Sequence, residues 1–167
     1  MTTITLGGKT THTTGSLPAI GSKAADFKLT KADLGDVTLK DFAGKKIILN
    51  IFPSIDTGVC AMSVRKFNAE ASELPGVVVV GVSRDTPFAL KRFCGAEGID
   101  KVVTTSSLRA DSTFGQDYGV VVADGPMAGL FSRAIVIVDE KGNVSYTEQV
   151  PEIGQEPDYA KALAAVK

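Results

Sequence analysis

The 167-residue chain contains one histidine, two cysteines and no tryptophan. The single histidine, His12, cannot build a zinc or iron site of several histidines. A lone histidine in a threonine-rich stretch is also badly placed as the base of a serine or cysteine nucleophile. Two cysteines are too few for a disulfide-stapled scaffold or an iron–sulfur site. We therefore expect any chemistry to use cysteine without histidine, metal or other cofactor.

An excess of charge and long apolar runs are also missing. The chain has 18 basic and 19 acidic residues, so its net charge is −1 and gives no basis for binding nucleic acid. Its apolar runs, such as residues 134–138, are far shorter than the roughly 20 residues of a membrane span. The N-terminus lacks the basic and apolar regions of a secretory signal. We predict a cytoplasmic protein that binds neither nucleic acid nor membrane.

The length suits one domain over residues 1–167. A threonine-rich stretch interrupted by Gly7 and Gly8 predicts an N-terminal β-hairpin over about residues 2–14. Nearly continuous apolar runs, typical of strands buried on both faces, follow later in the chain. The predicted strands after the hairpin span residues 27–29, 37–39, 46–52, 77–82, 102–105, 134–138 and 144–149.

Helical signals alternate with these strands. Asp56 or Thr57 can cap a first helix that runs to about Leu74, and Thr86 with Pro87 opens a second that ends at Gly95 or Gly98. Further helices are expected over residues 110–118 and 158–167. A β-α-β half followed by a β-β-α half predicts an α/β protein with a thioredoxin-like fold. Its mixed central sheet should be flanked by helices.

Cys60 lies in the first turn of the first predicted helix, directly after a buried strand. The helix dipole and the free backbone N–H groups of that turn favour a thiolate. Reactive groups of α/β proteins also gather at the carboxyl ends of the strands. The alternative is that Cys60 is a small buried apolar residue, as most free cysteines are. Its position in the sequence does not decide between the two.

Three further residues have a functional and a plain structural interpretation. The Thr57 hydroxyl, one turn from Cys60, either binds the sulfur or a substrate oxygen or simply caps the helix. Arg133 begins a buried strand, where it either faces an anion such as a thiolate or lies in solvent. Cys94 either packs in the core beside Phe93 or forms a disulfide with Cys60. Since both cysteines lie on helices, a disulfide would require backbone movement.

Residues 53–60, Pro-Ser-Ile-Asp-Thr-Gly-Val-Cys, match the pattern Pro-x-x-x-Thr-x-x-Cys and resemble the active site of the peroxiredoxins. The wider run of residues 50–60 is similar to the bacterial thiol peroxidase subgroup, which are atypical two-cysteine peroxiredoxins. The similarity covers about Gly21 to the C-terminus. It continues through residues 63–68, 92–98, 124–126 and 133–134.

The resemblance implies a role for each matching residue. Cys60 corresponds to the peroxidatic cysteine, which attacks the peroxide and becomes a sulfenic acid, and Cys94 to the resolving cysteine of the same chain. Thr57 corresponds to the hydroxyl that binds thiolate and peroxide, and Arg133 to the arginine that steadies the thiolate. Pro53 corresponds to the proline that walls the pocket. Thioredoxin as reductant, a homodimer and the lack of metal or haem are implied as well.

The resemblance thus implies a thiol-specific peroxidase that reduces hydrogen peroxide and organic hydroperoxides. Phe88 and Phe93 are candidates for apolar neighbours of the site that would favour alkyl hydroperoxides. A thiol–disulfide oxidoreductase is one alternative, although the chain lacks a Cys-x-x-Cys motif. The other alternative is a non-catalytic redox sensor or holdase that signals through a Cys60–Cys94 disulfide.

Overall fold

The computed structural model describes residues 1–71 and 74–167. The chain begins with an antiparallel hairpin of β1 (Thr3–Leu6) and β2 (Lys9–His12). Gly7 and Gly8 form its turn with φ values of 57° and 77°, the left-handed backbone that a tight two-residue turn requires. The predicted hairpin is confirmed.

A seven-stranded sheet forms the centre of the molecule. Its strands are β3 (Lys28–Lys31), β4 (Asp36–Thr38), β5 (Lys46–Ile51), β6 (Val77–Ser83), β7 (Val102–Ser106), β8 (Ala134–Val138) and β9 (Val144–Gln149). Their order across the sheet is β4-β3-β7-β6-β5-β8-β9. Strand β5 pairs parallel with β6 and antiparallel with β8, and β6 pairs parallel with β7. The sheet is therefore mixed, as predicted.

Helices flank this sheet, and most begin where the sequence predicts. They are α1 (Gly58–Ala71), α2 (Pro87–Glu97), α3 (Phe114–Asp117) and α4 (Tyr159–Ala164). A short 3-10 helix over Leu39–Phe42 follows β4 and was not predicted. No helix in the described ranges is long and apolar enough to cross a membrane.

The predicted helix ends are less accurate than the starts. Leu74 lies outside α1, and residues 72 and 73, which the prediction includes, lie outside the described residues. Helix α3 is a single turn rather than residues 110–118, because residues 110–113 are not helical and Gly119 follows the helix with a φ of 67°, a backbone that ends a helix. Helix α4 ends at Ala164 instead of residue 167.

Strand β5 has apolar side chains on both faces and so joins two hydrophobic clusters. Ile47, Leu49 and Ile51 point to one cluster. Ile48, together with Phe52 directly after the end of the strand, points to the other cluster, which also contains Cys60. This alternation follows from the two-residue period of a strand. The continuous apolar run therefore indicates a central strand, and its carboxyl end leads directly to α1.

Helix α2 carries Cys94 and has both predicted boundary signals. The Thr86 hydroxyl accepts a hydrogen bond from the Ala89 N–H at 3.2 Å, and Pro87 occupies the first turn. Gly98 ends the helix in the left-handed conformation with a φ of 65°. Gly95, the other predicted end, lies within the helix.

We predict that Thr86→Ala lowers the free energy of unfolding by about 1 kcal/mol, because the Ala89 N–H loses its acceptor. Urea denaturation of both proteins measures this difference. Thr86→Ser keeps the hydroxyl and serves as the control, with an unchanged midpoint expected. Equal stability of Thr86→Ala and the parent chain would contradict the capping role.

Candidate active site

Cys60 is completely buried in the first turn of α1. Its carbonyl accepts a hydrogen bond of 2.8 Å from the Ser63 hydroxyl. The Ser63 oxygen in turn accepts one of 3.2 Å from the side-chain amide of Asn50 on β5. Both side chains are buried, so this chain of bonds ties the cysteine turn to the centre of the sheet. The sequence analysis missed Asn50 and Ser63.

Arg133 lies against Cys60 and is only 2% exposed, so its interpretation as a solvated strand end is wrong. Its Nη2 lies 3.3 Å from the Cys60 Sγ, and its Nε donates to the Ile153 carbonyl at 2.8 Å. The antiparallel pairing of β5 with β8 explains the contact, since Ile51 at the end of β5 faces Ala134 at the start of β8. The start of β8 therefore lies beside the segment that leads to Cys60.

This arginine has no carboxylate partner within ion-pair distance among residues 1–71 and 74–167. Its buried Nη1 also lacks a hydrogen-bond partner in these ranges. A buried guanidinium without a counter-charge is costly. Arg133 thus presents an uncompensated positive charge to the Cys60 sulfur, and its Nη1 remains available to a further acceptor.

A cavity of about 210 Å³ opens beside Arg133. Its lining includes Pro53 and Thr57. The Thr57 hydroxyl donates its hydrogen to the Ser54 carbonyl at 3.1 Å, so it does not donate to the Cys60 sulfur in this arrangement. It would have to rotate to donate to a thiolate or a peroxide.

Most of the apolar walls of the cavity come from parts of the chain that the sequence analysis did not connect with the site; Val59, within the motif of residues 53–60, is the exception. They are supplied by Leu6, Val59, Met127 and Ile153. The suggested Phe88 and Phe93 do not line it.

The two suggested phenylalanines lie elsewhere for opposite reasons. Phe88 is 68% exposed, and Phe93 packs into the α1 side of the core. Leu6, Met127 and Ile153 reach the cavity through long-range packing between the hairpin and two loops.

Cys94 is half-buried on α2, and its Sγ lies 3.4 Å from the Thr104 hydroxyl on β7. Both cysteines are free thiols. The Cys60 sulfur contacts Arg133 instead. The two sulfurs therefore have separate partners in this structure.

The loop between β5 and α1 is held by two acidic residues. The Asp85 carboxylate accepts hydrogen bonds from the Ser54 hydroxyl at 2.7 Å and the Ile55 N–H at 2.8 Å. Asp56 forms an exposed ion pair with Arg92 of α2 at 2.6 Å. Such a surface pair contributes little stability. The Asp85 hydrogen bonds thus hold this loop in place, whereas its ion pair with α2 can break at small cost in free energy.

A thioredoxin-like sheet that presents a buried cysteine to an unpaired arginine is the architecture of a thiol-based oxidoreductase. The Redoxin family model matches residues 19–163. The chain belongs to this family.

Named relatives agree with that assignment. The chain is 56% identical over 166 residues to a thiol peroxidase of Mycobacterium tuberculosis H37Rv, with 99% of each chain covered. It is 53% identical to a thiol peroxidase of Corynebacterium glutamicum, with 95% of each covered. A peroxiredoxin-like structure from Aquifex aeolicus is 33% identical with a TM-score of 0.93, covering 98% of this chain and 95% of that one. The predicted fold and the predicted class, a peroxidase-type oxidoreductase, are confirmed.

We predict that Arg133→Met lowers the fraction of Cys60 present as thiolate at neutral pH, because the buried positive charge is lost. Thiolate absorbance at 240 nm, followed against pH, should show a higher midpoint than in the parent chain. Arg92→Met, which removes an exposed arginine, is the control with no expected shift. An unchanged midpoint in Arg133→Met would remove the electrostatic role of this arginine.

Proposed function

We propose that this chain is a thiol-specific peroxidase that reduces hydrogen peroxide and organic hydroperoxides to water and alcohols in antioxidant defence. The observation that carries the proposal is the 3.3 Å contact between Arg133 Nη2 and the Cys60 sulfur, beside an unpartnered buried Nη1. The largely apolar lining of the adjacent cavity supports organic hydroperoxides as substrates.

In the first step, the Cys60 thiolate attacks the terminal oxygen of the peroxide and the O–O bond breaks. The sulfur is oxidised to a sulfenic acid, and the departing alkoxide or hydroxide takes a proton to give alcohol or water. Arg133 stabilises the negative charge that develops on the oxygens. Thr57, after rotation away from the Ser54 carbonyl, donates to the peroxide. No histidine base is required, because the sulfur is already ionised.

In the second step, the Cys94 thiol attacks the Cys60 sulfenic acid, forming a disulfide and releasing water. The first turn of α1 must leave its buried position for this reaction, because Cys60 is completely buried. Breakage of the exposed Asp56–Arg92 ion pair is compatible with such a movement. Thioredoxin then supplies two electrons by thiol–disulfide exchange and restores both thiols.

Residues 1–167 act as one functional domain in this proposal, since Leu6 of the N-terminal hairpin lines the cavity beside Arg133. Pro53 walls the same cavity. The reductant thioredoxin, a homodimeric state and a cytoplasmic location complete the proposal, and the resemblance to peroxiredoxins supports the first two. No cofactor takes part.

The proposal predicts the products of one equivalent of hydroperoxide, as read by peptide mass spectrometry. The parent chain should give an intrachain Cys60–Cys94 disulfide. Cys94→Ser should stop at sulfenic or over-oxidised Cys60, because the resolving thiol is absent, and Cys60→Ser should not react. A Cys60 that stays reduced in excess peroxide would refute the proposal.

The alternative of a redox sensor or holdase uses the same two cysteines, so turnover must separate the functions. With thioredoxin, its reductase and NADPH, the peroxidase is expected to consume many equivalents of hydroperoxide per chain. Cys60→Ser is the matched control for uncatalysed consumption. Oxidation that stops after a single equivalent, with thioredoxin present, would favour the sensor.

A further inference from the structure

The N-terminal hairpin is joined to the segment that follows β9. The Thr5 N–H donates to the Pro151 carbonyl at 2.8 Å, and the Ile153 N–H donates back to the Thr5 carbonyl at 2.9 Å. Thr5 also forms an isolated parallel bridge with Glu152. The hairpin thus acts as an additional strand for residues 151–153.

The Glu152 carboxylate strengthens this junction with four hydrogen bonds. It accepts from the Thr5 hydroxyl at 2.7 Å, and from the backbone N–H groups of Gly7 at 3.0 Å, Gly8 at 3.1 Å and Gly154 at 3.1 Å. The Thr5 hydroxyl and these N–H groups lower the pKa of Glu152 to about 2. One carboxylate therefore fastens the hairpin turn to its own loop.

The residue after Glu152 reaches the reactive centre. Ile153 is buried, and its carbonyl accepts the 2.8 Å hydrogen bond from Arg133 Nε. Because a guanidinium is planar and rigid, an anchored Nε fixes the directions of both terminal nitrogens. One of these, Nη2, contacts the Cys60 sulfur.

We infer that Glu152 is a positioning residue for Arg133, which it orients by fixing the Ile153 carbonyl against the N-terminal hairpin. The hairpin, an addition to the thioredoxin-like core, is then a structural support of the reactive centre. This inference rests on the proposed function, in which Arg133 stabilises the thiolate and the transition state.

Glutamine cannot replace Glu152 in this role. A carboxylate offers acceptors on both oxygens, whereas an amide would turn an NH2 group toward two of the four donors. Glu152→Gln therefore breaks part of the junction while it keeps the size of the side chain. The expected consequence is a displaced Ile153 carbonyl and a less well oriented Arg133.

Asp124, which contacts the second strand of the hairpin, provides a control. Its carboxylate accepts from the Thr11 hydroxyl at 2.6 Å, the His12 N–H at 2.9 Å and His12 Nδ1 at 2.7 Å. The Thr11 hydroxyl and these His12 groups lower the pKa of Asp124 to about 2. Asp124 therefore also anchors the hairpin. Its hydrogen-bond partners within the described residues include neither Arg133 nor the loop of Ile153.

The test measures single-turnover oxidation of the reduced full chain by tert-butyl hydroperoxide, together with the pH midpoint of thiolate absorbance. Glu152→Gln is expected to slow oxidation about tenfold and to raise the midpoint. Asp124→Ala removes all three of these carboxylate contacts and should leave both quantities unchanged. Equal effects of the two variants, or no effect of Glu152→Gln, would overturn the inference.

Two further variants separate orientation of Arg133 from general loosening of the fold. In the Arg133→Met background, Glu152→Gln should add nothing to the rise in the midpoint, whereas additive effects would overturn the inference. Thr5→Val removes one of the four donors and should shift the midpoint in the same direction by less, so it provides the test if Glu152→Gln does not fold. A normal effect of Arg133→Met without any effect at Glu152 or Thr5 refutes only this inference and leaves the proposed function intact.

Discussion

The buried guanidinium of Arg133 is the constraint on which the rest of the site depends. An arginine stays charged in proteins, and its burial without a counter-ion opposes folding. The described part of the chain offers it the Cys60 sulfur and the Ile153 carbonyl but no carboxylate. The fold therefore leaves a positive charge directed at the Cys60 sulfur, and the proposed chemistry uses that charge.

Two demands act on the segment around Cys60. Attack on a peroxide requires a sulfur held in place, and the buried bonds from Asn50 through Ser63 to the Cys60 carbonyl supply that rigidity. In the proposed cycle, disulfide formation also moves the same turn toward Cys94. Within the described ranges, a single ion pair, Asp56–Arg92, joins the preceding loop to α2, and it is exposed and weak. Buried hydrogen bonds therefore hold the turn of Cys60 in place, and a different, weaker interaction would break when the turn moves.

The sequence analysis was most accurate where the deciding interactions are local. The apolar run before Pro53 predicted a central strand, and Thr86 with Pro87 predicted the start of α2, because alternation and capping act within a few residues. It was least accurate about the surroundings of Cys60. The solvated interpretation of Arg133, one of two left open, was wrong, and neither Phe88 nor Phe93 lines the cavity. Burial and cavity lining depend on residues far away in the chain.

The sequence by itself indicated cysteine chemistry. It contains one cysteine at a predicted helix start and a second cysteine, and its single histidine cannot form a metal site of several histidines. The pattern of residues 53–60 also identified which cysteine reacts in the family it resembles. Only the tertiary structure decided what surrounds that cysteine. Pairing of β5 with β8 brings Arg133 to the sulfur, and docking of the hairpin brings Leu6 to the cavity. Such contacts join residues far apart in sequence, and no local pattern encodes them.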